Sequence, residues 1–65
     1  MNYLFIITWY CSFADREKVK IIAAPDKATA IEIFLDVSDE GYLPSDAHIH
    51  EEASIDCASG LIFGL

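Results

Sequence analysis

The sequence predicts a small α+β domain, in which one helix packs on a face of an antiparallel sheet of three or four strands in the order ββαβ(β). Two observations predict it. An apolar run near the start is followed by an alternating segment, and a proline then opens a stretch with helical periodicity. The 65 residues make one domain, 1–65. Although the net charge is −7, a hydrophobic fraction of 54% argues against disorder.

The first two predicted strands form a hairpin. Tyr3–Cys11 is rich in aromatic and β-branched residues, and its continuous apolarity predicts a central strand with much of both faces covered. Ser12–Arg16 is a polar connection of hairpin length, and Glu17–Ala23 then alternates. One side of this second strand carries Val19, Ile21 and Ala23, and the other carries Lys18, Lys20 and Ile22, which predicts one solvated face.

The predicted helix begins at Pro25 and Asp26, because proline suits the first helical position and an anion is favourable there. Gly41 is a natural residue just past its end. The apolar face is supplied by Ala28, Ala30, Ile31, Ile33, Phe34, Leu35 and Val37. The polar stripe is Thr29, Glu32 and Asp36, continued by Asp39 or Glu40.

A weaker third strand is predicted over Ala47–Ile55, with His48, His50 and Glu52 on one face. Leu61–Phe63 is either a short fourth strand or an apolar tail. We expect the aromatic residues to lie in the core or on sheet faces, although the last two of the first strand could anchor an interface instead. These aromatic residues are Tyr3, Phe5, Trp9, Tyr10, Phe34 and Phe63.

Charge is distributed unevenly along the chain. Residues 28–65 contain no lysine or arginine, whereas all four basic residues lie earlier. Surfaces that serve solubility alone mix both signs, so a surface of one sign predicts a partner of opposite charge. The eight carboxylates of the acidic segment, our candidate partner-binding residues, are Glu32, Asp36, Asp39, Glu40, Asp46, Glu51, Glu52 and Asp56.

Such carboxylates can imitate a nucleic-acid backbone. Duplex DNA presents about one negative charge per 1.7 Å of axis, and carboxylates on adjacent helix turns are about 5–6 Å apart, comparable to successive phosphates. The acidic segment therefore predicts a basic partner, and a rigid acidic surface could occupy the groove in which such a partner binds DNA. Direct nucleic-acid binding by this chain is disfavoured because it has no basic stripe.

Other chemistries have weaker support. His48 and His50, with Glu51, Glu52 and Cys57 nearby, could share a metal. No closed set of ligand pairs exists, however, and we expect no metal or other cofactor. Cys11 or Cys57 could meet a histidine as nucleophile and base, yet nothing in their spacing selects such a pair, and we expect no enzymatic activity. The two cysteines suit reduced thiols, although the sequence leaves a disulfide between them open. The first apolar run is far shorter than the ~20 residues of a membrane span.

In its size, its ββαβ pattern and its acidic half without basic residues, the chain resembles the phage-encoded anti-CRISPR proteins, most closely the small acidic inhibitors of type I (Cascade-type) systems, including type I-C. The resemblance implies an inhibitor, acting in the cytoplasm of the infected bacterial host, that occupies the DNA-recognition surface of a surveillance complex. The large subunit that reads the target's recognition element would be the contact, and the eight carboxylates would stand in for phosphates.

The alternative is a small protein-interaction or regulatory module whose apolar parts form the interface and whose acidity serves solubility. Its apolar C-terminal segment, residues 61–65, could then pair with another chain, and a monomer or a weak homodimer is expected in either case.

Overall fold

The computed structural model describes residues 1–38 and 41–64, and it has the predicted α+β architecture. The sheet has four strands in the order β3-β1-β2-β4, and every neighbouring pair is antiparallel. Leu61–Phe63 thus belongs to a strand and is not a tail. The elements along the chain are β1 (Asn2–Cys11), β2 (Arg16–Ala24), α1 (Lys27–Val37), β3 (His48–Ile55) and β4 (Gly60–Gly64).

β1 is central, as predicted, and only on its helix side are side chains fully buried. Phe5, Ile7 and Trp9 are buried and belong to the hydrophobic core with the helix. Because side chains alternate along a strand, Leu4 and Ile6 point to the other side, where they are partly exposed. The prediction that much of both faces is covered is confirmed in part, since Leu4, Ile6 and Thr8 are partly buried. They are not fully buried because α1, the one helix of the described chain, packs on the other side of the sheet.

β2 shows the predicted partition of its side chains, with an unexpected assignment of the faces. Phe5 pairs with Ile22, so Ile22 lies on the helix side and is buried. Lys18 and Lys20 share that side and are partly buried. Their long aliphatic stems can lie along apolar surface while the ammonium groups reach water. Val19, Ile21 and Ala23, the other set of the predicted partition, therefore point away from the helix.

The core is a small cluster between the helix and the sheet. Ala30 and Phe34, one helical turn apart, are buried, and α1 packs over β2 and β4. The rings of Phe34 and Trp9 meet edge to face, with centroids 5.0 Å apart and an interplanar angle of 89°. Leu43 and Ala47, from the segment before β3, also pack against this cluster. Phe5, Trp9 and Phe34 are core aromatics as predicted, whereas Tyr10 and Phe63 are about half exposed.

The helix begins at Lys27, two residues after the predicted start at Pro25. Asp26 is the N-cap, in extended conformation (φ −154°, ψ 171°), and its carboxylate accepts a hydrogen bond of 2.8 Å from the backbone N–H of Thr29. Pro25 precedes the cap. At the other end Val37 is the last helical residue, and the N–H of Ser38 donates to the carbonyl of Phe34.

The cap predicts a specific pH dependence. The hydrogen bonds from Thr29 hold the pKa of Asp26 below its usual value. A lowered folded-state pKa gives stability that is present above the unfolded pKa and is lost as pH falls through the folded pKa. We expect Asp26→Ala to lower the melting temperature at pH 7. The loss should shrink in acid, below about pH 4. Asp26→Asn, which keeps the capping oxygen, is the control, and an equal loss at pH 7 and pH 2.5 would contradict this account.

A four-residue crossover, 56–59, carries the chain from one edge of the sheet to the other. The side-chain amide of Asn2 donates to the carbonyl of Cys57 (2.7 Å), and its oxygen accepts from the hydroxyl of Ser59 (3.3 Å). Asn2 thereby anchors the crossover against the start of β1. Cys11 is buried at the other end of β1, and both cysteines are free thiols.

Candidate partner-binding surface

Six of the eight candidate carboxylates lie in the described residues, and all six residues are exposed. Asp39 and Glu40 lie outside the described residues. The six are distributed over the helix, the segment before β3, β3 itself and the crossover. They are Glu32, Asp36, Asp46, Glu51, Glu52 and Asp56.

Glu32 and Asp36 form an acidic pair on the helix. They are four residues apart, so they lie on adjacent turns, about 5–6 Å apart at Cβ. Ala30 and Phe34 face the core, whereas the acidic pair faces solvent. The last turn of the helix contains no basic residue. Negative charge therefore accumulates where the helix dipole is already negative.

Glu51 and Glu52 lie on β3, an edge strand, and belong to opposite sides of the sheet. Glu51 pairs with Phe5 and hence shares the helix side, whereas His50 pairs with Ile6 on the other side. Glu52 follows His50 to that side, because its Oε1 is 3.0 Å from Nε2 of His50. A bulge in the β1–β3 pairing at this point breaks the regular alternation.

Asp46 and Asp56 lie near opposite ends of the sheet. Asp46 accepts a 3.1 Å hydrogen bond from the backbone N–H of Tyr10, near the end of β1, and Asp56 lies in the crossover near its start. The molecule is elongated, with a longest extent of 35 Å. The candidate carboxylates are therefore distributed along and around the molecule and do not form one compact cluster.

The six described carboxylates are not paired with lysine or arginine. Within residues 1–38 and 41–64, no carboxylate lies within 4.0 Å of a lysine or arginine nitrogen, and the one ion pair is that of His50 with Glu52. Arg16, Lys18 and Lys20 all lie on the helix side of β2, by their pairing with Cys11, Trp9 and Ile7. Lys27 begins the helix.

Sequence reasoning missed one surface, the side of the sheet opposite the helix, which we call the open sheet face. Strand register defines it, since residues paired across neighbouring strands lie on the same side. One row crosses all four strands from His50 through Ile6 and Ile21 to Phe63. The face consists of Asn2, Leu4, Ile6, Thr8, Tyr10, Glu17, Val19, Ile21, Ala23, His48, His50, Ile55 and Phe63.

A signal for this face was present in the sequence. β1 is apolar at both its odd and its even positions, so one helix could cover only half of its side chains. An antiparallel sheet with one solvated face normally shows polar residues on that face. Leu4 and Ile6, read together with Val19 and Ile21, therefore indicated a second apolar surface.

A cleft near the end of β1 is lined by aromatic side chains, among them Trp9, Tyr10 and Tyr42, together with Cys11. The Tyr10 hydroxyl donates to the carboxylate of Asp15, and this bond raises the pKa of Tyr10. No histidine is among the residues that line the cleft, so Cys11 has no imidazole base there.

The described residues contain neither a cluster of metal ligands nor a helix that could span a membrane. In the described parts of the chain, no three of the His, Cys, Asp and Glu side chains lie close enough together to hold a metal ion. The alternative of a metal site at His48 and His50, with Glu51, Glu52 or Cys57, therefore gains no support. No described helix has the length and apolarity needed to cross a membrane.

Comparisons with protein-family models, with curated proteins and with solved structures find no match to this chain.

Proposed function

We propose that this protein binds a basic surface of a nucleic-acid-binding protein and excludes nucleic acid from it by imitating the phosphate backbone. The observation that carries the proposal is the set of six exposed carboxylates, none of them paired with lysine or arginine in the described residues. A carboxylate held near lysine or arginine has part of its field cancelled. Here the field of these groups reaches outward.

The distribution of the carboxylates decides how this binding would work. Because they lie on the helix, on β3 and at both ends of the sheet, they cannot all contact one flat surface. Those near the contact replace phosphates in charge-assisted bonds with lysine and arginine. The remainder contribute to the long-range field, which steers association with a basic partner.

The resemblance to small acidic anti-CRISPR proteins supports the choice of partner. The proposed target is a type I CRISPR effector complex in the cytoplasm of an infected bacterium, contacted at its large DNA-recognition subunit. The proposed mechanism is steric and electrostatic competition with target DNA. It involves no chemical step and no cofactor.

A competition experiment tests the proposal. Labelled target duplex is bound to a purified type I-C surveillance complex, and its release by this protein is followed at about 50 and 500 mM salt, at which the Debye length falls from roughly 14 Å to 4 Å. We expect release at low salt that weakens at least tenfold at high salt. An absence of release, or release that is indifferent to salt, would contradict DNA mimicry.

A second candidate function is favoured by the C-terminal strand. Leu61, Ile62 and Phe63 are 43%, 49% and 47% exposed on β4, an uncharged edge strand. Exposed apolar edges are places where another chain can add a strand. As an interaction module, the protein would lose binding in Phe63→Ser and keep it when carboxylates are reversed.

A further inference from the structure

We propose that the open sheet face is the surface that seats on the partner, and that the partner offers an apolar patch flanked by lysine or arginine. The inference rests on the proposed function, which requires a basic partner, and adds the contact surface and its chemistry. It follows from the apolarity of the face and from the placement of charge around it.

The centre of the face is apolar across the whole sheet. Ile6 and Ile21 are direct cross-strand partners, and Phe63 continues their row on β4. Val19 and Leu4 extend the apolar area along the strands on either side of that row. In water, such a face gains by association, since burial of apolar surface contributes roughly 25 cal/mol per Å². Phe63 is exposed and the other four side chains are partly exposed, and contiguous apolar patches at a surface commonly mark interaction sites.

Apart from its two histidines, the charged residues on and beside this face are all acidic. Glu17 lies on it at the start of β2, and Glu52 borders it through its contact with His50. The three basic residues of β2 are all on the helix side. An apolar centre with a charged rim is the usual anatomy of a protein interface. The acidic residues at this rim favour a partner that carries lysine or arginine around its apolar patch.

A second copy of the chain fits this face less well than a basic partner. Each copy carries a net charge of −7, so face-to-face pairing would oppose two acidic rims and two negative fields. A partner with lysine or arginine around an apolar patch can cover the apolar centre and pair with the acidic residues at the rim.

The open sheet face is small, so both its apolar centre and its acidic rim must contribute to binding. Four strands about 4.8 Å apart and some 20 Å of strand length give roughly 400 Å² on this side of the interface. Total burial would then be about 800 Å², below the range of standard interfaces, so the apolar contact alone would bind weakly. Electrostatic attraction between the acidic rim and basic residues of the partner supplies the rest of the binding free energy.

The test uses two synthetic peptides of equal length and charge. The first is an amphipathic helix with a leucine stripe flanked by lysines, and the second replaces each leucine with glutamine. Both are labelled, and binding to the full chain is measured by fluorescence anisotropy. We expect the leucine peptide to bind at least tenfold more tightly. Equal affinities for the two peptides would overturn the inference.

A double variant locates the contact. Ile6→Thr with Ile21→Thr removes apolar surface from the centre of the face while keeping β-branched side chains suited to strands. We expect it to lose the tenfold preference and to keep the weaker binding of the glutamine peptide. The matched control is Leu35→Gln, an exposed aliphatic residue on the helix, which should keep the full preference. A preference that survives in the double variant would overturn the inference.

The experiment separates this inference from the proposed function. If neither peptide binds in a salt-dependent way, the requirement for a basic partner fails, and the inference fails with it. If both bind equally and with salt dependence, the acidic binder stands and the open sheet face is excluded. Fluorescence of Trp9, buried on the opposite side, checks that each variant is folded. Sedimentation that reveals a dimer abolished by the double variant would assign the face to a second copy and overturn the inference.

Discussion

Phe34→Ala is expected to leave most of the protein unfolded at 25 °C. Phe34 is fully buried, and its ring meets Trp9 edge to face at 5.0 Å. Removal of a buried phenylalanine ring costs about 3–5 kcal/mol, because apolar contacts are lost and a cavity remains. A domain of this size has a total stability of only a few kcal/mol, so one such change is comparable to the whole.

Far-UV circular dichroism and the emission of Trp9 measure this effect directly. Unfolding should shift the emission to longer wavelength, since the indole is 3% exposed in the folded protein. Phe13→Ala is the matched control, because Phe13 lies in the hairpin turn and is fully exposed. A folded Phe34→Ala variant with native emission would contradict the assignment of this ring to the core.

Charge reversal on the helix should change binding and stability in opposite directions. Glu32→Lys with Asp36→Lys shifts the formal net charge from −7 to −3, because each reversal adds two. Under the proposed function we expect affinity for the surveillance complex to fall on the order of tenfold at low salt, mainly through slower association. Asp36 lies in the last turn, where lysine is favoured by about 0.3–1 kcal/mol. Stability should therefore be unchanged or higher.

Stopped-flow or surface-based kinetics at two salt concentrations test this expectation, with urea unfolding as the measure of stability. Glu32→Gln with Asp36→Asn, which removes charge without reversing it, should give about half the effect in free energy. A reversal variant that associates as fast as the parent protein would exclude the helix pair from electrostatic steering. A less stable variant would leave loss of fold as the explanation of weaker binding.

Local sequence features predict much of this fold. The propensity of Tyr3–Cys11, the alternation after it, and the proline and aspartate before the helix are each properties of a few neighbouring residues. The two central strands and the helix follow from them. The helix starts two residues later than predicted, at Lys27 and not at Pro25, because Asp26 is its N-cap and accepts the hydrogen bond from the N–H of Thr29.

The surfaces were harder to predict because they depend on long-range pairing. Whether Ile21 or Ile22 faces the helix is set by the register with β1, and a shift by one residue would exchange them. The bulge beside Glu51 and Glu52 changes local alternation in a way that residue types do not indicate. Proximity in sequence therefore says little about proximity of the carboxylates, which the fold distributes around the molecule.

The central position of the first hairpin has a consequence for the order in which the chain folds. β1 and β2 are joined by only four residues, 12–15, so their pairing closes a short loop at small entropic cost. β3 can pair only with β1 and β4 only with β2, each across a much longer stretch of chain. The edge strands need a surface that already exists, and the hairpin supplies it. A growing chain therefore has its template for the whole sheet once residue 24 is free of the ribosome.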